Sequence, residues 1–181
     1  ACANGMPLAI LTGRTDVMSL FDNEVFSFTT FGGEALSLAA SMATIEFMET
    51  HKVPEVLAKK GAFMQDSYNQ LAQDLGMDQI TSCVGYPCRS MLTFQAPGQD
   101  GLVLKTFMQQ ELLQKGILWG GFHNMCYSHT QEDMEYTLSA YAEILPRLKA
   151  AIEADNVRSL LKGDVLEAVF RKVTDHNIKP R

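Results

Sequence analysis

Two threonines and two glycines precede a long apolar segment in the stretch FSFTTFGGEALSLAAS, residues 26–41. If a helix starts there, its first N–H groups lack partners within the helix, and its dipole makes that end weakly positive. The hydroxyls of Thr29 and Thr30 add two donors, and Gly32 and Gly33 allow an anion to approach the backbone. A phosphate would suit this chemistry. From the local residues alone, a threonine that caps an amphipathic helix is favoured over an anion site.

Histidine and cysteine side chains supply a second candidate site. Cys83 and Cys88 form a C-x4-C pair, and the stretch HNMCYSH places His123, Cys126 and His129 at intervals of three. These residue types can bind zinc, but the spacing matches no compact zinc motif. Buried cysteines mostly act as small apolar side chains. A zinc-stabilised binding module is therefore the weaker alternative, and no metal is expected.

The stretch LWGGFHN, residues 118–124, combines an aromatic side chain, two glycines and a His–Asn pair. Glycine-rich turns at strand ends often line clefts. A turn in which His123 only caps a neighbouring carbonyl explains the same residues equally well. The sequence contains no Ser/His/Asp signature, nucleophile elbow or phosphate-binding P-loop. The residues alone thus leave His123 and Asn124 as candidates without a defined reaction.

Composition and charge argue against several classes of protein. The 181 residues are 46% hydrophobic and 20% charged, and the formal net charge is -6. An acidic chain without clustered Lys and Arg does not suit nucleic acid or an anionic membrane surface. No apolar run approaches the roughly 20 residues that a membrane-spanning helix needs. Four scattered cysteines do not form a disulfide scaffold, which favours a cytoplasmic location.

Periodicity predicts the elements that must position these residues. In the first part, it predicts a buried strand at MPLAILTGR, a short helix at TDVMSLF with Thr15 or Asp16 near its cap, and a long helix over residues 33–50. Apolar residues recur on the long helix at steps of three and four, which predicts one buried face: Leu38, Met42, Ile45 and Met48. A second helix is predicted from Pro54 to Gly76.

The later part alternates between strands and helices. Strands are predicted at QITSCVG, RSMLTFQA and ILWGGF, with MCYS as a candidate fourth, and a helix is predicted over residues 100–116. Thr130 and Asp133 match a capping box at the start of a last helix, in which Pro146 is expected to cause a kink. The apolar stripe of that helix comprises Met134, Leu138, Tyr141, Leu145, Leu148 and Ile152. This pattern predicts a compact α+β unit with helices packed on one small sheet.

Three separated blocks of the sequence resemble a known family. The phrases ANGMPLAILTGRTDVM and TTFGGEALSLAASMATIEFME are similar to the second half of class III aminotransferases, which are fold-type I enzymes that use pyridoxal 5'-phosphate (PLP). The phrase GILWGGFHNMCYSHTQEDMEYTLSAYAEIL is similar to the C-terminal end of the glutamate-1-semialdehyde 2,1-aminomutase branch. The resemblance covers about residues 1–150. It implies an α/β fold, the C-terminal part of a fold-type I transferase, with a long interdomain helix leading into a small α+β domain.

The resemblance also implies a domain organisation and an activity. Residues 1–52 would end the large cofactor-binding domain and include the interdomain helix, residues 53–155 would form the small domain, and residues 156–181 would form a tail. The implied reaction is amino-group transfer, by an aminotransferase or by an aminomutase, which is an isomerase. The family's Schiff-base lysine would lie immediately before Ala1. The chain is therefore expected to be a piece of a longer protein, without a catalytic residue of its own and inactive in isolation; a catalytically inert dimerising fragment is a further alternative.

The resemblance changes the interpretation of the opening stretch. In the family, a threonine just before the long helix binds the phosphate of the cofactor held by the neighbouring subunit. Thr30 matches that position and Thr29 lies beside it, although the usual Ser-Gly-Asn-Pro phrase is replaced by GGEA. The family implies a homodimer that acts on a small amino or keto compound, with no nucleic-acid or membrane partner.

The same resemblance makes His123 and Asn124 the residues expected to bind substrate. In the aminomutase, an acidic residue follows the phenylalanine that corresponds to Phe122, whereas this sequence has His123. The loop before SHT is also shorter. The substrate is therefore expected to be glutamate 1-semialdehyde, another small amino or keto compound, or a sugar precursor.

Overall fold

The computed structural model describes residues 2–167. These residues divide into two compact units, with the boundary between Glu55 and Val56. Of the tail expected over residues 156–181, the part after position 167 lies outside the described residues. Within residues 2–167, no helix is both long and apolar enough to cross a membrane.

The N-terminal unit consists of helices joined by irregular chain. A short helix, α1, covers Thr15–Met18 and continues as a 3₁₀ helix over Ser19–Asp22, and a long helix, α2, covers Ala35–Thr50. Both helices were expected from the sequence pattern. Thr15 and Asp16 lie next to the cap of α1, as expected, and the N-cap residue itself is Arg14, which makes no side-chain capping bond.

The strand predicted at MPLAILTGR is also wrong. Residues 7–14 have no regular structure, and Ile10 and Leu11 are 62% and 67% exposed. A strand needs a hydrogen-bonded neighbour, and the described part of this unit contains no other strand. An apolar run therefore does not form a strand here.

Helix α2 does not bury the apolar face that periodicity assigns to it. Its predicted buried residues are between 38% and 74% exposed: Leu38, Met42, Ile45 and Met48. The residues of α2 that are buried are instead the small polar Ser37 and Ser41. Helix α2 therefore presents a broad apolar surface to solvent, which is typical of a surface that another part of an assembly covers.

The C-terminal unit packs helices against one antiparallel sheet with the strand order β1-β2-β3. Its elements are α3 (Val53–Asp74, which begins just before the unit boundary), β1 (Thr81–Tyr86), β2 (Arg89–Phe94), α4 (Gly101–Gln114), β3 (Phe122–Asn124), α5 (Gln131–Glu153) and a 3₁₀ helix (Val157–Leu160). Buried and exposed residues alternate along β2 and β3, so one face of the sheet belongs to the core. The predicted α+β arrangement is confirmed.

Two strand predictions in this unit need correction. Most of ILWGGF is irregular, and the strand starts only at Phe122, because Gly121 has a left-handed φ of 92° that interrupts an extended chain. The stretch MCYS is a loop. Its chain turns where the N–H of His129 donates to the Cys126 carbonyl at 3.2 Å.

Helix α5 begins and packs as predicted. The side chain of Thr130 accepts a hydrogen bond from the Asp133 N–H, and the Asp133 carboxylate accepts one from the Thr130 N–H. The predicted apolar stripe lies in the core, with Leu138 and Ile152 partly buried at its margin. Helix α5 continues through Pro146 without a break.

Side-chain amides of α3 cover the outer edge of β1. The Asn69 Oδ1 accepts from the Cys83 N–H at 2.7 Å, and the Asn69 Nδ2 donates to the Cys83 carbonyl at 3.0 Å. Gln65 donates to the same carbonyl at 3.1 Å. These bonds replace those of a neighbouring strand. They satisfy backbone groups of β1 that could otherwise pair with a strand of another chain.

Candidate active-site groove

An open groove of about 540 Å³ lies along the free edge of β3 in the C-terminal unit. Its walls come from the segment 117–125, from His129, from the first half of α5 and from one residue each of α3 and α4. The apolar lining includes Met64, Leu118, Phe122, Met125 and Met134, and the polar lining includes Gln109, Asn124, His129, Asp133 and Thr137. A mostly apolar concavity with a few polar groups is the usual form of a small-molecule site.

His123 lies beneath this groove and is only 7% exposed. Its Nε2 is 2.9 Å from the Tyr141 hydroxyl, and its Nδ1 is 3.1 Å from the Ser90 hydroxyl and 3.7 Å from the Cys83 sulfur. Burial lowers the pKa of His123 to about 4, so the ring is neutral at pH 7. The distances also show that each ring nitrogen has a protein partner, the Tyr141 hydroxyl for Nε2 and the Ser90 hydroxyl for Nδ1.

The groups around His123 are also uncharged near neutral pH. Burial raises the pKa of the Tyr141 hydroxyl well above its usual value and also raises the pKa of the Cys83 thiol. The buried indole Nε1–H of Trp119 makes no hydrogen bond within the described part of the chain. The cluster under the groove is a neutral hydrogen-bonded network and not an ion pair.

Asn124 and Phe122 lie on either side of His123 along β3, and both line the groove. Successive side chains of a strand point to opposite faces, so these two point away from the buried His123. Both are exposed, and the Arg89 guanidinium lies 4.8 Å from the centre of the Phe122 ring. The structure thus separates the predicted pair: Asn124 is accessible, whereas His123 is enclosed.

Lys60 holds the loop at the rim of the groove, a role that the sequence pattern did not reveal. Its ammonium donates to the Tyr127 carbonyl at 2.7 Å and also to the His129 carbonyl. Hydrogen bonds from Thr130 lower the pKa of Asp133, and the charge of Lys60 contributes to the same shift. No local motif marks Lys60, because its partners lie more than 60 positions later in the chain.

The predicted phosphate-binding residues lie before α2 in the N-terminal unit. Thr29 and Thr30 are exposed, and neither hydroxyl hydrogen-bonds another described residue. A Cβ on Gly32 would lie 2.4 Å from the Thr29 Oγ1, and Gly33 has a left-handed φ of 75°. The backbone of the turn therefore favours glycine at position 33, whereas a side chain at position 32 would displace the Thr29 hydroxyl.

The cap of α2 is Glu34, and the threonine cap considered from the sequence is wrong. The Glu34 carboxylate accepts hydrogen bonds from the Leu36 N–H at 2.8 Å and the Ser37 N–H at 2.7 Å. Hydrogen bonds from Ser37 and Leu36 lower the pKa of Glu34, so an anion already occupies this helix end. A phosphate at this turn would depend on the two threonine hydroxyls, which fit it, and would experience repulsion from Glu34.

The zinc alternative lacks a ligand set in the described residues. Within residues 2–167, no group of three or more His, Cys, Asp or Glu side chains is arranged to hold a metal ion. Cys83 is buried beside His123, whereas Cys88 and Cys126 are exposed. The spacing C-x4-C therefore reflects a hairpin and not a metal-binding loop.

The chain is similar to curated aminotransferases and aminomutases, although no family model matches it. It is 29% identical to a 3-aminobutyryl-CoA aminotransferase of Cloacimonas acidaminovorans, with 82% of this chain and 36% of that protein covered. It is 28% identical to a glutamate-1-semialdehyde 2,1-aminomutase of Methanocella arvoryzae, with 80% and 37% covered. The chain thus spans little more than a third of the length of these relatives.

The fold is similar to that of a solved transaminase described with PLP bound. The TM-score is 0.72 at 21% identity, and the match covers 82% of this chain and 37% of that one. The fold prediction is confirmed: the chain has the fold of the C-terminal part of PLP-dependent transaminases. The resemblance to aminotransferases and glutamate-1-semialdehyde aminomutases is confirmed as well.

Proposed function

From this resemblance, we propose that the chain is the C-terminal part of a PLP-dependent enzyme that transfers an amino group. The observation that carries the proposal is the similarity in sequence and in fold to such enzymes over about four fifths of the chain. The reaction is a transamination or an aminomutase isomerisation of a small amino or keto compound. When bound, PLP supplies the carbonyl that captures the amine and a ring that stores electrons.

Thr30, with Thr29 beside it, is the proposed phosphate contact. Both hydroxyls are exposed donors without a partner among the described residues, and hydrogen bonds to an anion are stronger than those between neutral groups. The Schiff-base lysine is proposed to precede Ala1, as the family's order implies. This division gives the chain a role in binding and orientation, while the covalent chemistry lies outside it.

The groove beside β3 is the proposed substrate side of the site. Asn124 presents a polar amide there, and the buried His123 forms part of the wall beneath it. The names of the two relatives suggest 3-aminobutyryl-CoA and glutamate 1-semialdehyde as the first compounds to test. No metal is part of this proposal.

The proposed assembly is a cytoplasmic homodimer. Support comes from the apolar surface of α2 and from three phenylalanines that precede it, Phe26, Phe28 and Phe31, which are 77% to 93% exposed. Contiguous exposed apolar surface marks an interface more often than it marks a solvent-facing surface. In such a dimer, Thr30 is proposed to contact the phosphate of the cofactor held by the neighbouring subunit.

Replacing Thr30 with valine is expected to weaken retention of the cofactor at least tenfold in the dimeric holoprotein. The substitution keeps the side-chain shape and removes one hydrogen bond to a charged phosphate, worth about 1.5–3 kcal/mol. Equilibrium dialysis against free PLP measures the change. Thr44→Val is the matched control, because the Thr44 hydroxyl donates to the Ala40 carbonyl of its own helix. Equal retention in both variants would remove Thr30 from the site.

The intact mass and the visible spectrum of the purified protein test the proposal as a whole. A mass well above 20.1 kDa with a yellow chromophore that borohydride bleaches is expected, because the lysine region would then be present with its cofactor. Turnover of 3-aminobutyryl-CoA or glutamate 1-semialdehyde would separate the two reaction types. A colourless protein of 20.1 kDa that dimerises without binding PLP would instead be the inert fragment.

A further inference from the structure

Strand β3 is short and lies at the edge of its sheet. It pairs with β2 over three residues, Arg89↔Asn124, Ser90↔His123 and Met91↔Phe122. Bonds at its two ends extend the pairing: Leu92 N–H donates to the Gly121 carbonyl at 3.1 Å, and Met125 N–H donates to the Cys88 carbonyl at 2.9 Å. So short an edge strand gains little stability from its backbone ladder alone.

The backbone groups of β3 that do not pair with β2 lie at the open edge of the strand, beside the groove. The bonds at Gly121 and Met125 show that the backbone groups of His123 face β2, since hydrogen-bonded pairs in an antiparallel ladder recur every second residue. The peptide groups of Phe122 and Asn124 therefore face the open side. Their position relative to any bound molecule depends on how firmly β3 is held.

The side chain of His123 provides additional anchoring. One ring nitrogen meets the Ser90 hydroxyl directly across the strand pair, and the other meets the hydroxyl of Tyr141 on α5. Tyr141 in turn packs edge-on against Tyr68 of α3, with ring centres 5.0 Å apart. The Tyr68 hydroxyl lies 2.7 Å from the Thr81 hydroxyl of β1. The ring thus connects the edge strand to the other two strands and to two helices.

We propose that His123 is a positioning residue that fixes β3, and thereby sets where Asn124 and Phe122 meet a substrate in the groove. This inference rests on the proposed function of the groove. His123 acts through its neighbours because both of its ring nitrogens are occupied and its side chain is enclosed. Asn124 has an amide with no partner among the described residues and is the direct contact.

Amide hydrogen exchange on the chain tests the anchoring without any assay of activity. His123→Leu removes both ring bonds, and the amides of Leu92 and Met125 are expected to exchange at least tenfold faster. The amide of Gln95, which donates to the Ile80 carbonyl at 2.7 Å, reports on the β1–β2 side and is expected to be unchanged. Unchanged exchange at Leu92 and Met125 would overturn the proposal.

Two milder variants keep the test decisive if His123→Leu does not fold. Tyr141→Phe and Ser90→Ala each remove one hydroxyl partner and leave the imidazole in place. Each is expected to speed exchange at Leu92 and Met125 about threefold or more relative to Gln95. An equal change at all three amides, or none, would show that the ring does not anchor β3 specifically.

A double-mutant cycle in the holoprotein then tests positioning against direct contact. With 3-aminobutyryl-CoA and, in parallel, glutamate 1-semialdehyde, Asn124→Ala is expected to raise KM about tenfold. If His123 acts by positioning Asn124 and Phe122, His123→Leu raises KM by a smaller factor in the Asn124→Ala background than in the wild type, and kcat changes less than KM. Additive effects on KM would assign His123 its own substrate contact and overturn the proposal.

The two kinds of failure are distinguishable. If the wild-type protein has no chromophore that borohydride bleaches and turns over neither compound, the proposed function fails while the exchange measurements still decide whether His123 anchors β3. If turnover is normal and exchange at Leu92 and Met125 is insensitive to His123→Leu, the positioning role fails and the proposed function stands.

Discussion

Replacing Gly61 with alanine is expected to lower the free energy of unfolding by about 3 kcal/mol. Gly61 lies within α3, where alanine would ordinarily stabilise a helix by about 1 kcal/mol. A Cβ at this position, however, would lie 2.0 Å from the Pro87 carbonyl oxygen and 2.7 Å from the Cys88 nitrogen. Both are backbone atoms of the β1–β2 turn, so no side-chain rotation relieves the overlap.

The measurement is urea denaturation followed by far-UV circular dichroism, with Gly163→Ala as the control. A Cβ on Gly163 meets no atom within 4 Å, so that variant is expected to change stability by less than about 0.5 kcal/mol. A Gly61→Ala variant as stable as the wild type would mean that α3 and the hairpin turn are farther apart than described. The hairpin also leads into β2, so a displaced turn would shift the strand that supports β3.

Lowering the pH from 7 to 4 is expected to cost the wild-type chain about 3 kcal/mol of stability through His123. The ordinary pKa of histidine is 6.5, and burial lowers the pKa of His123 in the folded state to about 4. Between these values the unfolded state binds a proton that the folded state excludes. The stability is therefore fully present above about pH 6.5 and declines as the pH falls towards 4.

Comparison with His123→Gln isolates this contribution, because glutamine does not titrate. Unfolding free energies at pH 7, 6, 5 and 4 are expected to fall less steeply in the variant, by about 1.4 kcal/mol per pH unit in the middle of the range. The other groups around the ring, Tyr141 and Cys83, have raised pKa values and remain neutral across this window. Parallel curves for the two proteins would show that His123 is solvated rather than buried.

Local signals in the sequence predicted several elements correctly. Thr130 and Asp133 form the capping box that their spacing indicated, and the stripe from Met134 to Ile152 lies in the core. The strands on either side of GYPC form the expected hairpin. These features depend on residues a few positions apart, so the sequence alone contains the interactions that determine them.

Predictions that required a partner elsewhere in the chain were less reliable. The apolar run MPLAILTGR forms no strand, because the described N-terminal unit offers no strand to pair with it. The apolar stripe of α2 stays exposed, since nothing in its periodicity specifies which surface covers it. The acidic cap Glu34 was also missed, although its side chain fills the helix end where an anion was expected.

For the candidate site, the sequence by itself determined the family resemblance. It also marked His123 and Asn124 as candidate substrate-binding residues. Only the tertiary structure decided that the two residues face opposite ways. His123 meets Ser90 and Cys83, which lie 33 and 40 positions earlier, and this burial removes its charge. Composition and spacing act over a few residues, whereas burial depends on elements that meet only after the chain folds, so the accessible Asn124 and the enclosed His123 became distinct only in three dimensions.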